Sequence, residues 1–205
     1  MDNLLLMKFG GTSVGSAERM RVAASLSAAQ RQERPVVIVV SAMSKVTDLL
    51  LETLRRAETG DQTGVDSNLE ELRRRHRHTC LELLPERQHA AVLGEIEGLI
   101  GEFERIANGI RLLAEAPPRS VDEAVAIGER LSALLLAARL RSGGTPARAV
   151  DAAQVIVTDA VFGNATPLME PTRVRARRLL LPMLEEGVLP VVTGFNGATA
   201  DGRPT

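Results

Sequence analysis

Near the start of the chain, Lys8-Phe9-Gly10-Gly11-Thr12-Ser13-Val14-Gly15 places a lone cation beside paired glycines, two hydroxyls and a further glycine. That mixture suits a polyanion. Glycines remove the side chains that would keep a phosphate from the backbone, and they tolerate positive φ. The amides beyond them, with the first turn of a following helix, can then point at phosphate oxygens. Lys8 adds a mobile point charge. A plain strand-to-helix turn would use the same glycines, but the lysine and hydroxyls tilt the reading toward anion binding. Standard nucleotide loops do not fit, because Lys8 precedes its glycines and no G-x-G-x-x-G occurs.

Two other segments end in small or hydroxylic residues, Ser41-Ala42-Met43-Ser44 and Thr193-Gly194-Phe195-Asn196-Gly197. A fourth feature, Gly128-Glu129-Arg130, interrupts a good helix with glycine. Gly costs about 1 kcal/mol against Ala there, which suggests close approach by another element; an ordinary surface Glu-Arg pair is the alternative. His76 and His78 sit among four arginines, two positions apart, and so do not share a helix face. They read as a solvated charged surface rather than a metal site. Cys80 reads as a small buried hydrophobe. No nucleophile triad and no zinc spacing is present.

The elements that must position these residues follow from periodicity. Leu4-Leu5-Leu6-Met7 is continuously apolar, as for a strand buried on both faces. Ser16 to about Arg31 has Met20, Ala23, Ala24 and Leu26 near helical spacing, and Pro35–Val40 is a second strand rich in β-branched residues. Thr47 is a candidate N-cap for a helix from Asp48 to about Thr59. Long polar helices follow over Asp66–Leu84 and Glu86–Ala114, broken at Pro85 and ended by Pro117-Pro118. Ser120 would cap a helix over Val121 to about Leu140. Ala147–Val150 and Gln154–Thr158 are short strand candidates, Pro171–Glu186 a helix with a kink or stop at Pro182, and Val188–Thr193 the last strand. The alternation predicts an α/β fold, three-layer αβα with a mostly parallel sheet and a helical insertion at about 60–118. The ligand crevice of such a sheet lies at the carboxyl ends of its strands, where the three loops would meet. The closing turn, Asp201–Thr205, reads as a chain cut just beyond a buried strand.

Composition narrows the class. The 205 residues include 25 basic and 26 acidic side chains, for a formal net charge of −1. With four Phe and no Trp or Tyr, the chain lacks the cationic surplus and stacking aromatics of a nucleic-acid binder. No apolar stretch approaches the roughly 18 residues of a membrane span. Met1-Asp2-Asn3 does not open a signal peptide. The single cysteine fits a reducing, cytoplasmic setting.

Taken in order, these segments resemble the amino acid kinase family (the carbamate-kinase-like fold) and, within it, the aspartokinases. Lys8–Gly15 is similar to the opening signature. Val39–Met43 with Val46-Thr47-Asp48-Leu49-Leu50 is similar to the second-strand loop, Gly128-Glu129-Arg130-Leu131-Ser132 to the glycine-glutamate motif, and Val191–Phe195 with Gly197 to the strand before the nucleotide half. The resemblance implies transfer of the ATP γ-phosphoryl group to the side-chain carboxylate of L-aspartate, the entry to lysine, threonine and methionine. It implies ATP with Mg²⁺ as cofactors and a homo-oligomeric parent. Lys8 would act catalytically. Lys8, Gly10, Gly11, Ser13 and Gly194 would hold the nucleotide, and Ser41, Thr47, Glu129 and Phe195 the aspartate. The chain would be the N-terminal, aspartate-binding part of the kinase domain. Its ATP-binding half and ACT regulatory domains would be missing, leaving it catalytically incomplete. Ala126 and Asn196 depart from the family pattern, in which a serine and an apolar residue are frequent. The alternatives are a non-catalytic binding or interaction module of the same fold, or another amino acid kinase.

Overall fold

The structure, a computed structural model, describes residues 3–205. Met1 and Asp2, the start of the segment weighed as a signal peptide, lie outside the described residues. Four strands form one parallel sheet, β1 (Leu5–Phe9), β2 (Val36–Val40), β3 (Ala147–Val150) and β5 (Leu189–Thr193), in the order β1-β2-β5-β3. Two two-residue strands, β4 (Val157–Thr158) and β6 (Ala198–Thr199), pair in parallel beside it. Helices α1 (Ala17–Glu33) and α5 (Pro118–Ser142) cover one face. Helices α2 (Val46–Glu58), α3 (Gln62–Leu83) and α4 (Glu86–Leu113) pack outside α5, while α6 (Met169–Glu185) lies on the opposite face.

Helix α5 is the pivot. Its run Leu131-Ser132-Ala133-Leu134-Leu135-Leu136-Ala137-Ala138 is buried all the way round. A helix without a polar stripe must be enclosed, and this one is sandwiched between the sheet and the outer helices. Pro118 takes the first helical position, where its missing N–H costs nothing. The helix therefore starts before Ser120, which does not cap it.

The two apolar strands of the N-terminal half have different fates. β2 lies between β1 and β5 with helices on both faces, so Val36, Val37, Ile38 and Val40 are buried. β1 is an edge strand covered on one face only. Leu5, Met7 and Phe9 pack on the core, whereas Leu6 is 61% exposed, contrary to the expectation of two buried faces. Leu26, read as part of the inner face of α1, is exposed as well.

Other corrections are local. α2 begins at Val46, after Lys45 in the left-handed region at φ 63°, so Thr47 sits exposed in the first turn instead of capping it. α3 starts at Gln62, four residues earlier than read, because the Asp61 side chain accepts from the Gly64 amide. Residues 152–154 form a short 3₁₀ turn started by Asp151 Oδ1 accepting from the Ala153 amide, which leaves only Val157–Thr158 as strand. Pro182 lies inside α6 and does not end it. β6 follows β5, so Val188–Thr193 is not the last strand.

Candidate active site

Because β1, β2 and β5 are adjacent and parallel, their carboxyl ends open onto one edge of the sheet. The loops meet there as the sequence predicted. The Ser41 amide donates to Phe9 O at 3.1 Å, and the Ser44 amide to Gly11 O at 3.1 Å. A Cβ on Gly11 would stand 3.0 Å from Ala42 O, so the two loops touch only because Gly11 has no side chain. A Cβ on Gly10 would meet nothing within 4 Å. Packing does not demand that glycine, and the open space above it suits a ligand approaching the backbone.

The turn uses some of its own donors. Ser13 and Val14 amides donate to Gly10 O, and the Gly15 amide to Thr12 O. Among the described residues the Gly11 and Thr12 amides have no acceptor, which leaves them for an anion. Arg19 Nη1 donates to Thr12 O at 2.7 Å and braces the turn against α1. Ser13 is exposed and, with Phe9, Thr12, Arg19, Val22, Ala23 and Leu26, lines a groove of about 360 Å³. Lys8 is exposed at the end of β1.

The opposite wall is built more tightly. Gly128 brings α5 against α2: a Cβ there would lie 3.0 Å from Ala42 Cβ, 3.1 Å from Leu50 Cδ1 and 3.2 Å from Val46 Cγ1. This is the close approach expected of a glycine inside a helix. Glu129, next in sequence, is only 7% exposed and points to the end of β5. Its Oε2 accepts from the Gly194 amide at 2.8 Å and the Phe195 amide at 2.7 Å. Both amides fall on one oxygen, and Oε1 receives neither. Burial raises the Glu129 pKa above the usual carboxylate range; the two amides and Lys8 oppose that shift, while Asp151 adds to it. Glu129 is thus not half of a surface pair. Arg130 turns the other way, to Glu102 of α4 at 2.6 Å and Asp151 at 3.6 Å.

Of the predicted site residues, the fold gathers Lys8, Gly10, Gly11, Ser13, Ser41, Glu129 and Gly194 at one sheet edge, with Thr47 in the adjoining first turn of α2. The Phe195 amide serves Glu129, and its side chain is 93% exposed. Missed by sequence reasoning was a polar group behind this wall. Asp151 Oδ1 accepts from Asn196 Nδ2 at 2.7 Å, Asn196 Oδ1 accepts from the Thr193 hydroxyl at 2.6 Å, and Thr193 Oγ1 accepts from the Ala152 amide at 2.8 Å. The available signal was that Asp151 directly follows a strand, on the ligand-binding edge. One histidine was also misread: His76 is fully buried, its Nδ1 donating to Leu72 O at 2.8 Å, while His78 is exposed as expected.

Comparison with known proteins agrees with this architecture. The sequence pattern of the amino acid kinase family matches residues 3–204. The chain belongs to that family. It is 40% identical over 196 residues to aspartokinase 3, chloroplastic, of Arabidopsis thaliana, covering 94% of this chain and 34% of that protein. It is 32% identical over 201 residues to the aspartokinase of Chlamydia muridarum, covering 98% of this chain and 41% of the relative. The fold superposes on E. coli aspartokinase III in complex with lysine and aspartate at a TM-score of 0.88 and 31% identity, covering 98% of this chain and 43% of that one. A second structure of the same E. coli enzyme, in complex with aspartate and ADP, matches at 0.88 and 30% identity. The chain thus spans less than half the length of these relatives.

Proposed function

We propose that this chain is the aspartate-binding, phosphate-cradling part of an aspartate kinase, which converts L-aspartate and ATP to 4-phospho-L-aspartate and ADP. One observation carries the reading. Glu129 is buried where three strand ends converge, with both backbone donors on Oε2 and Oε1 left for a cation. Among the described residues no cation forms an ion pair with this buried carboxylate, Lys8 acting only at longer range. A buried charge left unpaired is costly, and an amino acid's α-ammonium is a fitting partner. Ser41 and Thr47 stand where hydroxyls can bind the same molecule. Lys8, the Gly11 and Thr12 amides, the space over Gly10 and the Ser13 hydroxyl suit the phosphates of ATP, with Gly194 closing the far side. Relatives named as aspartokinases, and an E. coli structure with aspartate and ADP, support this choice of substrates.

The chemistry brings two anions together. A carboxylate oxygen of aspartate forms the new bond to the γ-phosphorus, the bond from that phosphorus to the β-bridging oxygen breaks, and ADP leaves with the electron pair. The carboxylate is already deprotonated at neutral pH, so no general base is needed. Catalysis is positioning and charge neutralisation, in which Lys8 offsets the phosphoryl charge and Glu129 anchors the amino acid. Mg²⁺ bound to ATP would add further neutralisation, held through the phosphates; the described residues contain no cluster of three or more metal-ligating side chains.

The remaining adenine and carboxylate contacts are assigned to a longer chain, since the matched relatives are more than twice this length. The open edge of β1 offers a place for the sheet to continue. Residues 60–118 are read as a helical insertion covering α5. We assign the reaction to lysine, threonine and methionine biosynthesis. The test has two arms. The 205-residue chain should bind L-aspartate in preference to L-glutamate by calorimetry, and should not form hydroxylamine-trappable acyl phosphate from ATP. In a longer protein carrying this sequence, Lys8→Ala should lower turnover by about 10²–10³, as for loss of one charge-stabilising donor. Unchanged turnover, or equal binding of both acids, would sink the reading.

A further inference from the structure

The turn after β5 is also fixed by side chains that make no hydrogen bond to Glu129. Asp151 Oδ1 accepts from the Ala153 amide at 3.0 Å and from Asn196 Nδ2 at 2.7 Å, while Oδ2 faces Arg130 Nε at 3.6 Å. Asn196 reaches back with its carbonyl oxygen to the Thr193 hydroxyl at 2.6 Å. The amide can sit only one way round. Flipped, it would set its oxygen against the Asp151 carboxylate, a pair with no proton between them. Asn196 follows directly on Gly194 and Phe195, whose amides hold Glu129. On the other side, Arg130 follows directly on Glu129 and is held by Asp151 and Glu102.

The carboxylate and its two donors are therefore pinned through their immediate chain neighbours, and Asp151 joins both pins. Gly194 shows how little slack remains, since a Cβ there would lie 2.9 Å from Val40 O and 3.3 Å from Glu129 Oε1. A groove of about 380 Å³ lined by Glu102, Arg130, Asp151, Gln154 and Thr193 adjoins the clamp.

We propose that Asp151 and Asn196 are positioning residues for the amino-acid site: together they lock the turn after β5 so that its amides occupy Glu129 Oε2 and leave Oε1 for the α-ammonium of the substrate. The assignment of the ammonium rests on the function proposed above. The clamp does not. Its effect belongs in substrate affinity, because both residues act through the Glu129 anchor and its donors.

The decisive experiment exchanges the pair. Asn196→Asp sets two carboxylates against each other. Amide exchange at Gly194 and Phe195 should quicken by about tenfold and L-aspartate affinity should fall by about tenfold, the scale of one hydrogen bond to a charged group. The double variant Asn196→Asp, Asp151→Asn restores a carboxylate–amide pair with reversed roles but gives up the Ala153 amide's bond to Oδ1, so it should recover part of both losses. Asn196→Ala, which adds no charge, should shift both in the same direction and serves if the aspartate variant does not fold. The proposal falls if Asn196→Asp leaves the two amides protected, if the exchanged pair fares no better than the single variant, or if exchange rises equally at Val37–Val40, the sign of general destabilisation. Should the unaltered chain fail to bind L-aspartate, the functional reading fails while amide exchange still decides the clamp.

Discussion

The turns after β1 and β5 flank the end of β2, and they are built on opposite plans. The first is open: Gly10 has space above it, Lys8 and Ser13 are exposed, and the Gly11 and Thr12 amides have no acceptor among the described residues. The second is closed: Gly194, Phe195, Thr193 and Asn196 all have hydrogen-bond partners, and they surround a buried carboxylate. The difference follows from what each would receive. Phosphates carry their own charge and accept hydrogen bonds in many orientations, so a loose set of donors with a flexible lysine suffices. An ammonium in a desolvated pocket needs acceptors fixed in place, since an unsatisfied polar neighbour there is costly. On the function proposed above, the closed turn would provide selectivity for an amino acid and the open one charge.

Substitutions can break this contrast, the largest effect first. Glu129→Gln keeps an acceptor for the two amides but removes the charge; L-aspartate affinity by calorimetry should fall by about 100-fold, in line with breaking a buried ion pair. Glu129 also predicts a pH effect. Its folded pKa is raised, so its burial favours the fold most below the usual carboxylate value, and that contribution is lost as pH rises through the raised pKa. Ammonium binding has the opposite sense, strengthening as Glu129 ionises.

A second buried titratable group works against stability in acid. His76 is lowered to about 4 because burial disfavours the imidazolium, and its Nε2 has no partner among the described residues. Its contribution to stability is complete above about pH 6.5 and is lost as pH falls toward 4, a change of about 3 kcal/mol. Denaturant midpoints measured across that range should fall for the unaltered chain and flatten for His76→Leu. Equal slopes would remove His76 from the account.

Gly128→Val, which drives methyl groups into Ala42, Leu50 and Val46, should cost about 1–3 kcal/mol in chemical unfolding. Gly10→Ala should be the mildest, within about 0.5 kcal/mol of the original stability, yet it should weaken phosphate or ATP binding in a longer protein. If Gly10→Ala unfolds the chain, the open turn is structural and the contrast fails.

Much of this was legible before any coordinates. Strand β2, with its β-branched run, is recognisable because a fully enclosed strand has no need of alternation. The glycine turn, the Gly128–Glu129 pair and the three loop ends are local in sequence, and parallel topology alone brings those loops to one edge. Where the reading failed, long-range packing decided the outcome. Leu4–Met7 and Val36–Val40 look alike as apolar runs, but only position in the sheet makes one an edge strand with Leu6 in water and the other a core strand. His76 stands among arginines in sequence, yet the helix phase turns it into the core while Arg74, Arg77 and His78 face out.

The sequence by itself therefore determined which residues could do chemistry and on which edge of the sheet they would meet, because the alternation of strands with helices and the placement of glycines are short-range properties. Only the tertiary structure decided how they act. It made the Phe195 amide a donor to Glu129, separated Glu129 from Arg130, and brought Asp151 to Asn196 across 45 residues of chain. Such pairings depend on how two strands and a helix pack together, and no local pattern encodes that distance.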